Sequence, residues 1–484
     1  MQVRDLEPKA VWNHFEDLNA VPRPSKKEER VRAFMKDFGK SLGFETLEDA
    51  IGNIVIKKPA SKGMENRKTV IIQTHLDMVH QKNEDTDFDF LTQGIASFID
   101  GDWVTAEGTT LGADNGMGVA CAMTLLSSTD LAHPALECLF TVDEETGMTG
   151  AKKLDGSLLD GKILLNLDTE DDDEISIGCA GGIDTNTSYT YQTAACPANS
   201  KAFKIKLSGL KGGHSGMEIN LGRGNANILL NRLLFQVSTK YNVGLYEFDG
   251  GSLRNAIPRE ASCKITINES DVTAFESFLN AEAAEIMAEF SVVEPNFKVE
   301  MTAEDLPATI LHQDEFECIM EVLYNTPNAV WKMSDKIEGL VETSSSLARV
   351  IIKDGEFITQ SLQRSMIESG KNDVATAMRL NYARMGASVV QSGDYPGWAP
   401  NPTSSILKLV VDKYETLFNA TPNVQACHAG LECGILQEHI HDCDMVSFGP
   451  TIRNPHSPDE KVNIASVQKF WGYLLEVLKD IPVK

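Results

Sequence analysis

Apolar residues in the early part of the chain keep helical spacing. Val31, Phe34, Met35, Phe38 and Leu42 recur three or four positions apart up to Gly43, the period of one buried helix face. Ser25-Lys26-Lys27-Glu28 ahead of them reads as a capping box. Short apolar runs follow: Asn53 to Ile56, Val70 to Thr74, Leu136 to Val142 and Ile163 to Leu167. Runs of about four to eight apolar residues between turn signals predict buried strands. A helix from about Gly116 to Leu126, with Asn115 as its cap, falls among them, and Glu84 to Asp102 reads as an insertion rich in Asp and Phe. Strands alternating with helices at this spacing predict an α/β domain whose mainly parallel sheet is flanked by helices.

After Gly181-Gly182 the pattern changes. Phe203 to Leu207 alternates polar and apolar, and strands at Ser262 to Ile267 and Phe297 to Met301 accompany helices at Asn225 to Gln236 and Val272 to Phe290. A second series repeats the theme: helix Asp314 to Tyr324, strands Ser346 to Ile352 and Phe357 to Leu362, helix Asn372 to Met385, strand Ala387 to Gln391. From Tyr395 the α/β character returns, with helices near Ile406 to Phe418 and Ile464 to Leu478 and a strand at Met445 to Phe448. The expected organisation is a catalytic domain in two parts, 1–186 and 393–484, interrupted by an inserted α+β lid at 187–392 with an internal duplication.

Composition narrows the function classes. The chain of 484 residues is 42% apolar and 24% charged, enough to bury a core in each domain. A net charge of -26 argues against nucleic acid, which needs clustered cations. Nine scattered cysteines without a C-x-x-C pair suit a reducing compartment. No basic, apolar leader opens the chain and no apolar run reaches about 18 residues. A cytoplasmic protein with no membrane partner is the expectation.

Candidate chemistry gathers at the ends of the apolar runs. His75 closes the Val70 run with Asp77 two residues on, Asp143-Glu144-Glu145 follows Val142, and Asp168 follows Leu167. Asp114 opens the helix after a glycine-rich turn, and His456 follows the last strand through a Gly-Pro loop. In an open α/β sheet, ligands collect at the carboxyl ends of parallel strands, so one fold assumption brings these groups together. Two imidazoles and three carboxylates suit a pair of zinc ions, which take nitrogen and oxygen donors and share a bridging group when close together. Asp114, at an apparent helix N-terminus that favours an anion, is the expected bridge. His75 and Asp168 would complete one ion, Glu145 and His456 the other, and Asp77 would orient His75. Successive side chains on an extended segment face opposite ways. Glu145 is therefore taken as a ligand and Glu144 as the general base that moves a proton from water to the leaving amine. The residues read as a dinuclear metallohydrolase. No Walker loop, G-x-G-x-x-G or H-E-x-x-H helix offers a rival, and Gly213-His214-Ser215-Gly216 is one residue short of a nucleophile elbow.

Five segments resemble the motifs of the co-catalytic zinc aminoacylase/carboxypeptidase/dipeptidase family. They are His75-Leu76-Asp77, Gly112-Ala113-Asp114-Asn115-Gly116, Glu144-Glu145-Thr146-Gly147, Asn166-Leu167-Asp168 and Asn454-Pro455-His456-Ser457-Pro458-Asp459-Glu460. Gly212-Gly213-His214-Ser215-Gly216, Arg254 to Glu260 and His428 to Gly434 are similar to its branch of broad-specificity dipeptidases. The resemblance implies a zinc-peptidase fold, two Zn2+ per subunit replaceable by Co2+ or Mn2+, and a cis peptide after Asp114. It implies unblocked dipeptides as substrates, Xaa-His dipeptides such as carnosine among them, and a homodimer. It also implies that His214 donates to the oxyanion, that Asn255 and Arg364 hold the substrate carboxylate, and that Glu432 meets the free amino group. A tripeptidase, an N-acyl-amino-acid deacylase or a non-catalytic peptide binder on the same scaffold are the alternatives.

Overall fold

Val70–His75 is buried at every position, its polar Gln73, Thr74 and His75 included, and pairs in parallel with Leu136–Thr141 on one side and Ile163–Asn166 on the other. Asp444–Ser447 adds in parallel to Ile163–Asn166. These four strands form the middle of an eight-stranded sheet whose outer members run antiparallel, Ile54–Lys58 against Leu136–Thr141 and Glu174–Cys179 against Asp444–Ser447. The sheet is thus mixed, with its parallel part where the candidate residues lie. The structure, a computed structural model, describes residues 2–484.

Two units result. One comprises the chain up to Cys179 with Trp398–Ala426 and Leu431–Lys484, the other Ala180–Gly397 with Cys427–Gly430. In the first, helix Ala113–Ser127 is buried at almost every position, as an all-round apolar helix must be. The closing helix Ile464–Lys479 instead buries one stripe, Val467, Phe470, Tyr473, Leu474, Val477 and Leu478. The expected capping box at Ser25 does not form. Ser25 Oγ donates to the Met78 carbonyl, and the helix begins at Glu29. Asn115 is no cap either: it lies within the element, in non-helical backbone, and its carboxamide bonds elsewhere. The insertion ends in strand Ser97–Asp100, which pairs as a hairpin with Trp103–Ala106 just after it.

The second unit is built on a nine-stranded antiparallel sheet. From the central pair Gly244–Gly250 and Val341–Lys353, its halves match outward. Ala261–Asn268, Ser200–Ser208 and Lys298–Glu304 lie on one side, Glu356–Ser365, Gly181–Thr190 and Ser388–Tyr395 on the other. In each half a helix, Val272–Phe290 or Glu368–Ala383, precedes the outermost strand of that run. Among the described residues no helix is long and apolar enough to cross a membrane.

Candidate metal centre

Parallel pairing brings the strand ends together. His75 is the last residue of its strand; its buried Nε2 lies 3.1 Å from Asp114 Oδ1 and 3.5 Å from Asp168 Oδ1. His456 Nε2 lies 3.3 Å from the other Asp114 oxygen and 3.0 Å from Glu145 Oε2. Asp114 therefore offers one carboxylate oxygen to each imidazole. It sits where the helix has not yet begun, at φ -83° and ψ 112°, with a cis peptide to Asn115. The Asn115 side chain donates to the Leu167 carbonyl (2.7 Å) and to Asp168 Oδ1 (2.5 Å), so it aims the neighbouring carboxylate.

Asp77 is fully buried. Its Oδ1 lies 3.4 Å from His75 Nδ1, and the carboxylate accepts from the backbone N–H groups of Glu144 (3.0 Å) and Glu145 (3.3 Å). One carboxylate thus lies against the imidazole and ties down the segment carrying both glutamates. Burial pushes Glu144 well above the usual carboxylate range; Asp168, Glu432 and Glu145 reinforce that push against the pull of His75.

The donors fit a cation. His75, Asp114 and Glu145 each offer an atom within 4.8 Å of the others, and Glu145 Oε1 is buried without a partner. The carboxylates raise both imidazoles: His75 against its own burial, through Asp168 and Asp114, and His456 to about 11 through Asp114 and Glu145. Clustered carboxylates in a buried site require a compensating positive charge, and two imidazoles with three carboxylates form a zinc-type donor set.

Glu432 belongs to the same unit and is buried. Its Oε2 accepts from Gln73 Nε2 (2.6 Å) and Thr141 Oγ1 (2.7 Å), while Oε1 has no partner. Burial pushes it up to about 8, Asp168 and Asp77 adding to this over the pull of His75 and Thr141. Gln73 and Thr141 were not singled out in the sequence, where they are ordinary positions of apolar strands.

His214, Asn255 and Arg364 belong to the second unit. His214 Nδ1 accepts from the backbone N–H groups of Gly216 (3.2 Å) and Met217 (2.9 Å). That leaves Nε2 as the protonated nitrogen of a neutral ring; burial and the Arg364 charge hold it down to about 4. Asn255 has an exposed side chain and accepts from Ser215 N through its carbonyl (2.8 Å). Arg364 is 5% exposed, its Nη1 donates to Tyr395 Oη (3.1 Å), and its Nε has no partner. No carboxylate among the described residues forms a salt bridge with it. A Cβ on Gly216 would stand 2.1 Å from the His428 carbonyl oxygen and 3.1 Å from both Arg364 Nε and His214 Cε1, so only a glycine fits where these groups meet. His428, missed as a candidate although its motif was noted, is buried beside them; its Nε2 lies 2.8 Å from Ser344 Oγ.

Comparison with known proteins shows what the chain as a whole is similar to. The chain is 44% identical to the cytosol non-specific dipeptidase of Escherichia coli (strain K12) over 100% of both chains. It matches the crystal structure of aminoacylhistidine dipeptidase from Vibrio alginolyticus at a TM-score of 0.95 and 42% identity, covering 100% of this chain and 99% of that one. The aminopeptidase PepT of Bacillus cereus shares the fold at 16% identity and a TM-score of 0.57, over 98% and 99% of the two chains. A family model described as peptidase family M20/M25/M40 matches residues 71–480. That span contains every donor of the centre, and the chain belongs to this peptidase family.

Proposed function

We propose that the protein is a dinuclear zinc dipeptidase acting on unblocked dipeptides of broad sequence, aminoacyl-histidine dipeptides among them. The observation that carries the reading is Asp114, whose two oxygens lie 3.1 Å and 3.3 Å from the imidazoles of His75 and His456. His75 and Asp168 would hold one ion, Glu145 and His456 the other, with Asp114 shared. Bound zinc supplies Lewis acidity, polarising a carbonyl and lowering the pKa of water.

This chain's own groups do the rest. The Glu144 carboxylate takes a proton from the attacking water and returns it to the leaving amine. Asp77 keeps His75 in one orientation. His214 offers Nε2–H to the oxygen on which charge develops, as a preorganised donor should. Arg364, with Asn255, holds the substrate's carboxylate; a nearly buried guanidinium without an acidic partner supports this. Glu432 Oε1 receives the free ammonium group. A clamp on both termini would favour dipeptides over longer chains, and a homodimer is the expected assembly.

Metal analysis with a substrate panel tests the reading. Purified protein is expected to carry two zinc equivalents, to lose activity to a chelator and to regain it with zinc. Free dipeptides, including β-alanyl-histidine, should be cleaved far faster than N-acetylated or amidated forms. Chelator-insensitive hydrolysis would refute the metal reading, and equal turnover of free and capped dipeptides would refute the clamp.

A further inference from the structure

Two buried charges next to the metal centre have no part in the chemistry above. Glu460 is 2% exposed and stands four residues after His456. Its Oε2 accepts from the backbone N–H groups of Leu111 (2.7 Å) and Gly112 (2.9 Å), its Oε1 from those of Ala113 (2.8 Å) and Asp114 (3.2 Å). Arg23, 1% exposed, holds the same turn by its carbonyl: Nη2 donates to Gly112 O at 2.6 Å. Arg23 Nη1 donates to the carbonyls of Leu76 and Asp77, each at 3.2 Å. Gly112 is therefore held on both sides, its N–H by Glu460 and its carbonyl by Arg23.

These contacts join three loops that each carry a ligand. Leu76 and Asp77 follow His75, Gly112 precedes Asp114, and Glu460 follows His456. The loops need holding, because their backbone is irregular. Asp114 is non-helical, and His456 sits at φ 60° with its side chain 53% exposed. Successive N–H groups turned to one point form an anion-binding nest, which Glu460 fills from within the chain. The motif glycines fit the same account: a Cβ on Gly112 or Gly116 would stand 2.5 Å or 2.7 Å from Arg23 Nη2. Their side chains are missing where the guanidinium lies.

We propose that Arg23 and Glu460 are positioning residues of the metal centre. They lock the loops of His75, Asp114 and His456 together, so that Asp114 is presented to both imidazoles before a cation arrives. This rests on the dinuclear reading, and it separates Glu460 from an ordinary buried carboxylate that only adds stability. Glu137 is such a carboxylate in the same unit: it is buried and accepts from the backbone N–H groups of Asp160 and Gly161 (2.9 and 3.0 Å).

Cobalt(II) binding to the metal-free protein, followed by titration calorimetry and by the cobalt absorption bands, tests the proposal. Glu460→Gln keeps the length but turns an N–H donor toward backbone donors; Glu460→Asp keeps the charge but is shorter. Both are expected to weaken at least one cobalt site by about 10–100-fold, the usual effect of removing a group that orients ligands, and to change the absorption bands. Glu137→Gln should lower the urea midpoint and leave both readouts unchanged. Cobalt affinity and bands in the Glu460 variants equal to wild type would overturn the proposal, as would an equal loss in Glu137→Gln. Should Glu460→Gln not fold, Glu460→Asp and Arg23→Lys carry the same comparison. A wild-type protein that binds no cobalt overturns the metal reading and this proposal together, whereas normal binding by the variants overturns this proposal alone.

Discussion

Replacing Arg364 by methionine separates binding from folding. The guanidinium is 5% exposed, with one hydrogen bond to Tyr395 and an unpartnered Nε. If it pairs with the substrate carboxylate, removing it leaves that carboxylate desolvated and unpaired. Truncating one member of such a pair costs about 2–5 kcal/mol. On that scale kcat/KM for a free dipeptide should fall by about 30-fold to a few thousand-fold. An amidated dipeptide has no carboxylate to lose, so Arg364→Met should change its turnover little. The coupling between side chain and carboxylate, read from a double cycle of two enzymes and two substrates, should reach about 2 kcal/mol or more. Stability should move the other way. Methionine removes a buried charge that no carboxylate salt-bridges, and the unfolding free energy of the substrate-free protein, from urea denaturation, should rise by on the order of 1 kcal/mol. Equal losses on free and amidated dipeptides would refute the carboxylate role, and a large drop in stability would show that Arg364 serves the fold instead.

Two further outcomes are expected. Glu144→Gln should keep its full metal content, checked by elemental analysis, and lose about 10²–10⁴-fold in kcat, the range for a missing general base; undiminished hydrolysis by the metal-replete variant would refute the assignment. His214 and His428 are held down to about 4 and about 3, each by burial first and then by the Arg364 charge, with Glu218 opposing at His214. Folded protein then binds fewer protons than unfolded chain below the ordinary histidine value near 6.5, so their contribution is present above that pH and is lost as pH falls through about 4 and 3. Going from pH 7 to pH 5, the change in stability should be less favourable in the wild type than in His428→Gln, measured by denaturation of both at each pH; an equal change in the two proteins would count against the buried neutral ring.

Side-chain chemistry at strand ends was legible because periodicity locates the ends and residue type names the donor. His75 and Asp168 needed only the apolar runs before them, and helix Val272–Phe290 was bounded correctly by its own pattern. The errors share a cause. Ser25 and Asn115 have the composition of caps, yet their partners are Met78, Leu167 and Asp168, more than fifty positions away. Local propensity yields when a distant partner offers a better bond. The duplication in the second unit was read as two successive copies. In the sheet, however, Gly181–Thr190 lies in the half containing Val341–Lys353 and precedes the whole of the other half in sequence, so that half is interrupted by its counterpart.

Arg23 and Glu460 illustrate a deeper limit. Most of their partners are backbone carbonyls and N–H groups, and a backbone group has the same chemistry whatever residue carries it. No spacing of side chains could have announced the pairing; only the glycines at 112 and 116, whose missing side chains make room for the guanidinium, leave a trace in the sequence. Glu432 stands between the two cases. Its Oε2 is tied to Gln73 and Thr141 while its Oε1 is left unpaired, and a purely structural side chain has no reason to bury an oxygen without a partner, because that costs about 1–3 kcal/mol. The tied oxygen explains how the residue is held. The untied one is the reason to expect a cationic group of the substrate beside it.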